Sequence, residues 1–139
     1  MEYTIIGSNK CRGRAKVKND VPRGRVVENK NGSNGKTICV HLNEKAIKFI
    51  GTDYVKLGKA NNKALIIAFS EPFDEGARKL THNGQGENAT TRHCKSKDLL
   101  GEIRTGNVRV QENEWVKLYD VIDCNKRYLV FPALFKKEI

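Results

Sequence analysis

Two stretches of this chain read alike, and that likeness limits the fold more than any other feature. The first runs from His41 to about Phe69. It contains His41-Leu42-Asn43-Glu44-Lys45-Ala46-Ile47, then Tyr54-Val55-Lys56-Leu57, then Asn62-Lys63-Ala64-Leu65-Ile66-Ile67. The second runs from His93 to about Phe131. It contains His93-Cys94-Lys95-Ser96-Lys97-Asp98-Leu99, then Trp115-Val116-Lys117-Leu118, then Asn125-Lys126-Arg127-Tyr128-Leu129-Val130. Each has a histidine, a polar-to-apolar stretch, an aromatic-Val-Lys-Leu segment, a turn at Asn-Lys and an apolar strand. The alignment needs gaps, the larger one before the Trp115 segment. Repetition on this scale marks a repeated supersecondary unit.

Each copy predicts a strand, a short helix and a hairpin. Ile38 to Leu42 reads as a strand. Asn43 is a suitable helix N-cap, and Ala46, Ile47, Phe49 and Ile50 give an apolar helical face that stops at Gly51. Tyr54 to Leu57 and Leu65 to Phe69 form a hairpin around Lys59-Ala60-Asn61-Asn62. In the second copy Ser96 caps a helix with Leu99, Leu100 and Ile103 on its apolar face, weakened by Gly101. Val108 and Val110 alternate as a strand. Trp115 to Val121 then pairs with Tyr128 to Phe131 across Asp123-Cys124-Asn125. Between the copies, Glu71 to Arg92 is a polar connection with a helical turn expected at 75–80.

Thr37-Ile38-Cys39-Val40-His41-Leu42-Asn43-Glu44-Lys45-Ala46-Ile47-Lys48-Phe49-Ile50-Gly51, followed by Val55-Lys56-Leu57 and Ala64-Leu65-Ile66-Ile67, resembles the AbrB-type transition-state regulators, also called swapped-hairpin proteins. In that family a strand leads into a short helix ending in Leu-Gly, then into a hairpin of apolar strands. The likeness spans residues 37–69, with a poorer second copy at 93–131, and the family's prolines after the first strand are missing. The resemblance implies DNA binding through basic strands and loops. Because family members are dimers, two copies in one chain imply a pseudo-dimer.

Neither copy is large enough to bury a face alone, so both are expected to share one core. The chain has 139 residues, 38% apolar and 30% charged, which suits a polar globular protein rather than a disordered one. Tyr54 and Trp115 hold one repeat position and are expected as core aromatics, with Lys56 and Lys117 facing outward. No apolar run approaches the roughly 20 residues of a membrane span, and Met1 to Gly7 has no signal-peptide pattern. A cytoplasmic protein without membrane contact is the expectation.

Charge is concentrated at one end. Lys+Arg is 26 and Asp+Glu 16, a net charge of +10. Residues 1–36 hold Lys10, Arg12, Arg14, Lys16, Lys18, Arg23, Arg25, Lys30 and Lys36 against Glu2, Asp20 and Glu28. Lys10, Arg12, Arg14, Lys16 and Lys18 fall at every second position, with Cys11, Gly13, Ala15 and Val17 between them. That is the strand period, so the cations share a face. Asn19 to Pro22 reads as a turn, and Arg23-Gly24-Arg25-Val26-Val27 as a returning strand. Lysine on a solvated edge is ordinary, but five cations in strict alternation exceed what an edge needs. A cationic two-stranded ribbon fits the major groove and reaches successive phosphates. It has no interleaved aromatic residue for single-strand stacking. Residues 29–36 form a linker or a long hairpin tip.

Chemistry for catalysis is not evident. Gly7-Ser8-Asn9 and Gly84-Gln85-Gly86 lack the lysine and spacing of a phosphate loop. Asp74, Glu75 and Asp120 form no acid–base spacing. Cys39, His41, His93 and Cys94 are the donor types of a Cys2His2 zinc site, but no ligand knuckle is present, and His93 and Cys94 point to opposite faces of a strand. We therefore expect reduced, structural cysteines, no metal and no cofactor.

The expected fold is α+β and mostly antiparallel: a basic β-ribbon and linker over 1–36, then a two-repeat domain over 37–139. The expected function is non-enzymatic binding of nucleic acid, duplex DNA foremost, as in transcription regulation. Lys10, Arg12, Arg14, Lys16, Lys18, Arg23 and Arg25 are the expected contacts. Arginines among them suit guanine edges, where they bond bidentately. The alternative is a small basic inhibitor of the kind phages carry, binding a nucleic-acid-processing enzyme such as a CRISPR nuclease.

Overall fold

The computed structural model describes residues 19–30, 35–82 and 90–133. In chain order the elements are β1 (Arg23–Asn29), β2 (Thr37–Leu42), α1 (Glu44–Ile50), β3 (Tyr54–Lys59), β4 (Leu65–Phe69), β5 (Arg78–Lys79), β6 (Thr81–His82), β7 (Arg92–Ser96), α2 (Lys97–Arg104), β8 (Val116–Lys117), β9 (Tyr119–Asp123) and β10 (Lys126–Val130). They form two five-stranded sheets, in the orders β6-β7-β2-β1-β8 and β5-β3-β4-β10-β9. Every ladder between these strands is antiparallel. The fold is α+β, as the repeated strand–helix–hairpin pattern predicts.

Both sheet orders are nearly palindromic about a central pair. β2 meets β7 in the first sheet and β4 meets β10 in the second. Hairpins β1–β2 and β6–β7 flank the first centre, and hairpins β3–β4 and β10–β9 flank the second. The helices cross over: α1 packs on β10 of the other unit, and α2 packs on β2. One apolar cluster results, joining Val26, Val40 and Leu42 of the first sheet to Leu65, Ile67 and Leu129 of the second, with Ala46, Ile50 and Leu99 from the helices.

The helix signals act as their chemistry requires. Asn43 Oδ1 accepts from Ala46 N at 3.0 Å, and Gly51 ends α1 at φ 76°. Ser96 Oγ accepts from Leu99 N at 3.1 Å, and α2 runs through Gly101 to Arg104. Cys124 and Asn125 both have positive φ, which suits the tight β9–β10 turn to the strand twist.

Four expectations change. Residues 75–80 contain no helical turn: Arg78–Lys79 is extended and pairs with Tyr54 and Val55 of β3. This pairing buries Leu80, whose N–H reaches Asp53 O at 2.6 Å, and non-local pairing outweighs local helix preference. The two aromatic-Val-Lys-Leu segments land in different sheets, because Val116 and Lys117 pair with β1 and the last hairpin begins only at Tyr119. Val108 and Val110 form no common strand; Val110 makes a single bridge to Ala133. Finally, Arg23–Asn29 is built into the first sheet between β2 and β8, with Val26 fully buried, so residue 36 is a hairpin position rather than the end of a separate ribbon. Lys10, Arg12, Arg14, Lys16 and Lys18 lie outside the described residues. Among the described residues, no helix is long and apolar enough to cross a membrane.

Candidate nucleic-acid interface

Alternation along β1, β2 and β7 sends Gly24, Val26, Ile38, Val40, Leu42 and Cys94 inward. It sends Arg23, Arg25, Val27, Cys39, His41, His93 and Lys95 to the opposite face. Lys117 joins that outer face opposite Arg23. Arg25, His41, His93 and Thr81 form one row across four strands, each directly paired with the next.

Trp115 closes over the row. Its ring lies edge-on to His41 at 6.4 Å, and the Arg25 guanidinium sits 5.6 Å from its centroid. The His41 and His93 rings are 5.5 Å apart. Thr81 Oγ1 lies 3.2 Å from His93 Nε2. Trp115 is thus a half-buried residue of a sheet surface, and not the core aromatic expected. The loop after Val110 brings it to β1, where the Arg25 cation faces its ring.

The electrostatics follow from burial and the cations. Burial, aided by Arg25 and His93, lowers the His41 pKa to about 4. Burial and then Lys95 lower that of His93. Both rings are therefore neutral near pH 7. Burial raises the Cys39 thiol and pushes Cys94 up to about 12, so neither supplies a thiolate nucleophile there. Cys94 also points into the core, away from Cys39, His41 and His93, so the four zinc donor types do not converge. Among the described residues, no group of three or more His, Cys, Asp or Glu side chains is arranged to hold a metal.

Of the seven expected contact residues, Arg23 and Arg25 are described, and both lie on this face. Arg23 is held by Asp20, with Nε to Oδ1 at 3.1 Å and Nη2 to Oδ2 at 3.3 Å. That bond holds the Asp20 carboxyl below its usual range. Arg25 is half-buried against Trp115. Lys95 and Lys117 are exposed. The strand positions of this face thus carry Arg23, Arg25, Lys95 and Lys117 and no carboxylate. Two clefts elsewhere each carry an ion pair. A cleft of about 410 Å³ beside α2 is spanned by Lys59–Glu102, and one of about 590 Å³ near Gly51 by Lys56–Asp74. Lys95, His41, His93 and Trp115 were not separable in the sequence from ordinary strand residues, because their grouping depends on the β2–β7 and β1–β8 pairings.

No protein-family model matches the chain, and no curated protein and no solved structure matches it.

Proposed function

We propose that this chain is a non-enzymatic nucleic-acid-binding protein with duplex DNA as its target. The outer face of the first sheet and the basic residues Lys10 to Lys18 would both supply phosphate contacts. The observation that carries this reading is the face on which Arg23, Arg25, Lys95 and Lys117 share strand positions with no acidic residue. Asp20 balances Arg23 from the preceding turn, while Arg25, Lys95 and Lys117 share strand positions with no carboxylate, so a polyanion meets a net positive face. Trp115 and the neutral imidazoles beside Arg25 add apolar contact area to a surface that the sequence presented as purely cationic. The near-palindromic strand order supports reading the chain as a pseudo-dimer of the kind the AbrB-type resemblance implies.

Binding of the full chain to duplex DNA, single-stranded DNA and RNA at several salt concentrations tests this. Replacing Arg12, Arg14 and Lys16 by alanine removes about three phosphate contacts, so the log–log salt slope falls by roughly 2–3. Arg25→Ala with Lys95→Ala and Lys117→Ala lowers it further. No salt-sensitive binding, or slopes unchanged in both variants, refutes the proposal. A second reading, an inhibitor that docks on a nucleic-acid-processing protein, is favoured by the exposed Tyr119 and Ile122 of β9. Absence of binding to naked nucleic acid together with capture of such an enzyme would select it.

A further inference from the structure

The second sheet has an edge, among the described residues, that its own symmetry singles out. About its β4–β10 centre, hairpin β3–β4 corresponds to hairpin β10–β9. The outer side of β3 is occupied by β5, with Lys79 opposite Tyr54 and Arg78 opposite Val55. Among the described residues, nothing occupies the corresponding outer side of β9. All five residues of β9 are exposed, Tyr119 at 61% and Ile122 at 65%. Edge strands are commonly blunted by short length, charged side chains (lysine above all), proline, a bulge or a covering segment. Tyr119-Asp120-Val121-Ile122-Asp123 has no lysine or proline and pairs with β10 in unbroken register; its only charges are Asp120 and Asp123, which deter an acidic strand and not a basic one.

We propose that this edge accepts an extended strand of a partner protein, one whose side chains alternate between apolar and basic. Backbone groups along β9 would supply the ladder, and the two faces would select the side chains. Tyr119 and Val121 lie on the outer face of the sheet with Tyr128, Val130, Ile66 and Ala68. Apolar side chains of the incoming strand extend that row. Asp120 points to the other face, at the position opposite Leu129. Asp123 already stands opposite Lys126, and Arg127 is turned away to the Phe49 carbonyl at 2.9 Å. Asp120 is therefore the carboxylate left to meet an incoming cation. The internal counterpart, β5, is itself a basic pair. A second β9 is a poorer occupant, because antiparallel pairing of two copies gathers the Asp120 and Asp123 carboxylates of both into one ribbon. Salt screens the rest of the +10 chain beyond about 8–10 Å, so the edge itself sets the preference. The inference is independent of nucleic-acid binding by the first sheet.

The test uses the full chain and a fluorescein-labelled peptide of alternating lysine and valine, with a glutamate–valine peptide of equal length as comparison. Saturable binding of the lysine peptide is expected, at least about tenfold tighter than that of the glutamate peptide. Asp120→Lys and Val121→Lys should each weaken it about tenfold, whereas Asp98→Lys, the same charge change on the side of β5 and β3, should leave it unchanged. Amides of residues 119–123 should gain hydrogen-exchange protection when the lysine peptide is added. The proposal is overturned if neither peptide binds, if both bind alike, or if Asp120→Lys has no effect. It is also overturned if the chain forms a dimer that Asp120→Lys dissociates, which assigns the edge to a second copy. Protection of 119–123 by nucleic acid instead of peptide would overturn it as well.

Discussion

His41 and His93 stand directly opposite each other where β2 of the first unit meets β7 of the second, with ring centroids 5.5 Å apart. They are the residues that open the two repeated stretches, so the likeness in sequence becomes a contact in space. Burial, with Arg25 beside His41 and Lys95 beside His93, makes an environment in which neither ring holds a proton readily.

That pair makes stability fall on mild acidification. An ordinary imidazole titrates near 6.5, and His41 in the fold does so at about 4. Between these values the unfolded chain binds the extra proton, so stability rises with pH and is lost as pH drops from 6.5 toward 4. His93 shifts in the same direction. Full linkage for His41 would be about 3 kcal/mol, and solvent access to the ring reduces this to about 1–2 kcal/mol. Asp20, Asp74 and Glu102 have lowered pKa values, so their losses fall at lower pH than their ordinary values of 3.8 and 4.5. Urea unfolding at pH 7 and pH 5 checks the window, and His41→Gln should flatten the difference. Equal stability of the wild-type chain at both values would contradict the neutral-pair reading.

Asn43 does more than cap a helix. It is fully buried, its Oδ1 accepts from Ala46 N at 3.0 Å and from Arg23 N at 2.9 Å, and its Nδ2 donates to Val21 O at 2.8 Å. The side chain thus joins the start of β1 to the start of α1. Asn43→Ala should cost about 2–3 kcal/mol, more than the ~1 kcal/mol of an average cap, because a β1 amide loses its acceptor too. Asn43→Asp should also destabilise, since a carboxylate cannot donate to Val21 O. A loss near 1 kcal/mol for the alanine variant would show that the link to β1 contributes little.

Gly24 is set by a close approach. A Cβ there would lie 2.5 Å from Phe131 Cζ and 3.2 Å from Leu118 Cδ1, and Phe131 is fully buried. Gly24→Ala should therefore cost about 1–3 kcal/mol through overpacking, in spite of alanine's better backbone entropy. Denaturant unfolding measures it. A neutral or stabilising result would mean that the Phe131 ring yields easily.

What was legible in the sequence was local. Asn43 and Ser96 as caps, Gly51 as a helix stop and the Cys124-Asn125 turn each act through atoms a few residues away. What was illegible depended on which strand meets which. Val116-Lys117 carries no sign that it will pair with Arg23 and Gly24 rather than continue into the last hairpin. Arg78-Lys79 reads as well in a helical turn as beside Tyr54. The same limit applies to the candidate interface: alternation placed Arg23 and Arg25 on one face, but only the β1–β2–β7 pairing puts His41, His93 and Lys95 beside them. Matching Tyr54 with Trp115 was sound as a likeness of letters, but neither is the core aromatic expected: both are half-buried, Tyr54 on β3 of the second sheet and Trp115 beside β8 of the first.

Trp115 gives the sharpest test, because it is the only tryptophan in the chain and sits on the proposed interface. A fully buried tryptophan truncated to alanine typically costs about 3–5 kcal/mol. Trp115 is half-buried on a sheet face, so Trp115→Ala should cost about 1–2 kcal/mol, from lost area and from the lost contact with Arg25. The wild-type emission should change when duplex DNA is added, and the change should saturate with the binding curve. Trp115→Phe keeps a ring for Arg25 and should retain most of the affinity, whereas Trp115→Ala frees Arg25 and should weaken binding severalfold, by about 1 kcal/mol. A stability loss above 3 kcal/mol with emission indifferent to DNA would return Trp115 to the core and remove it from the interface. Emission that responds, with alanine and phenylalanine variants binding alike, would place DNA near the ring but deny the Arg25 contact its role.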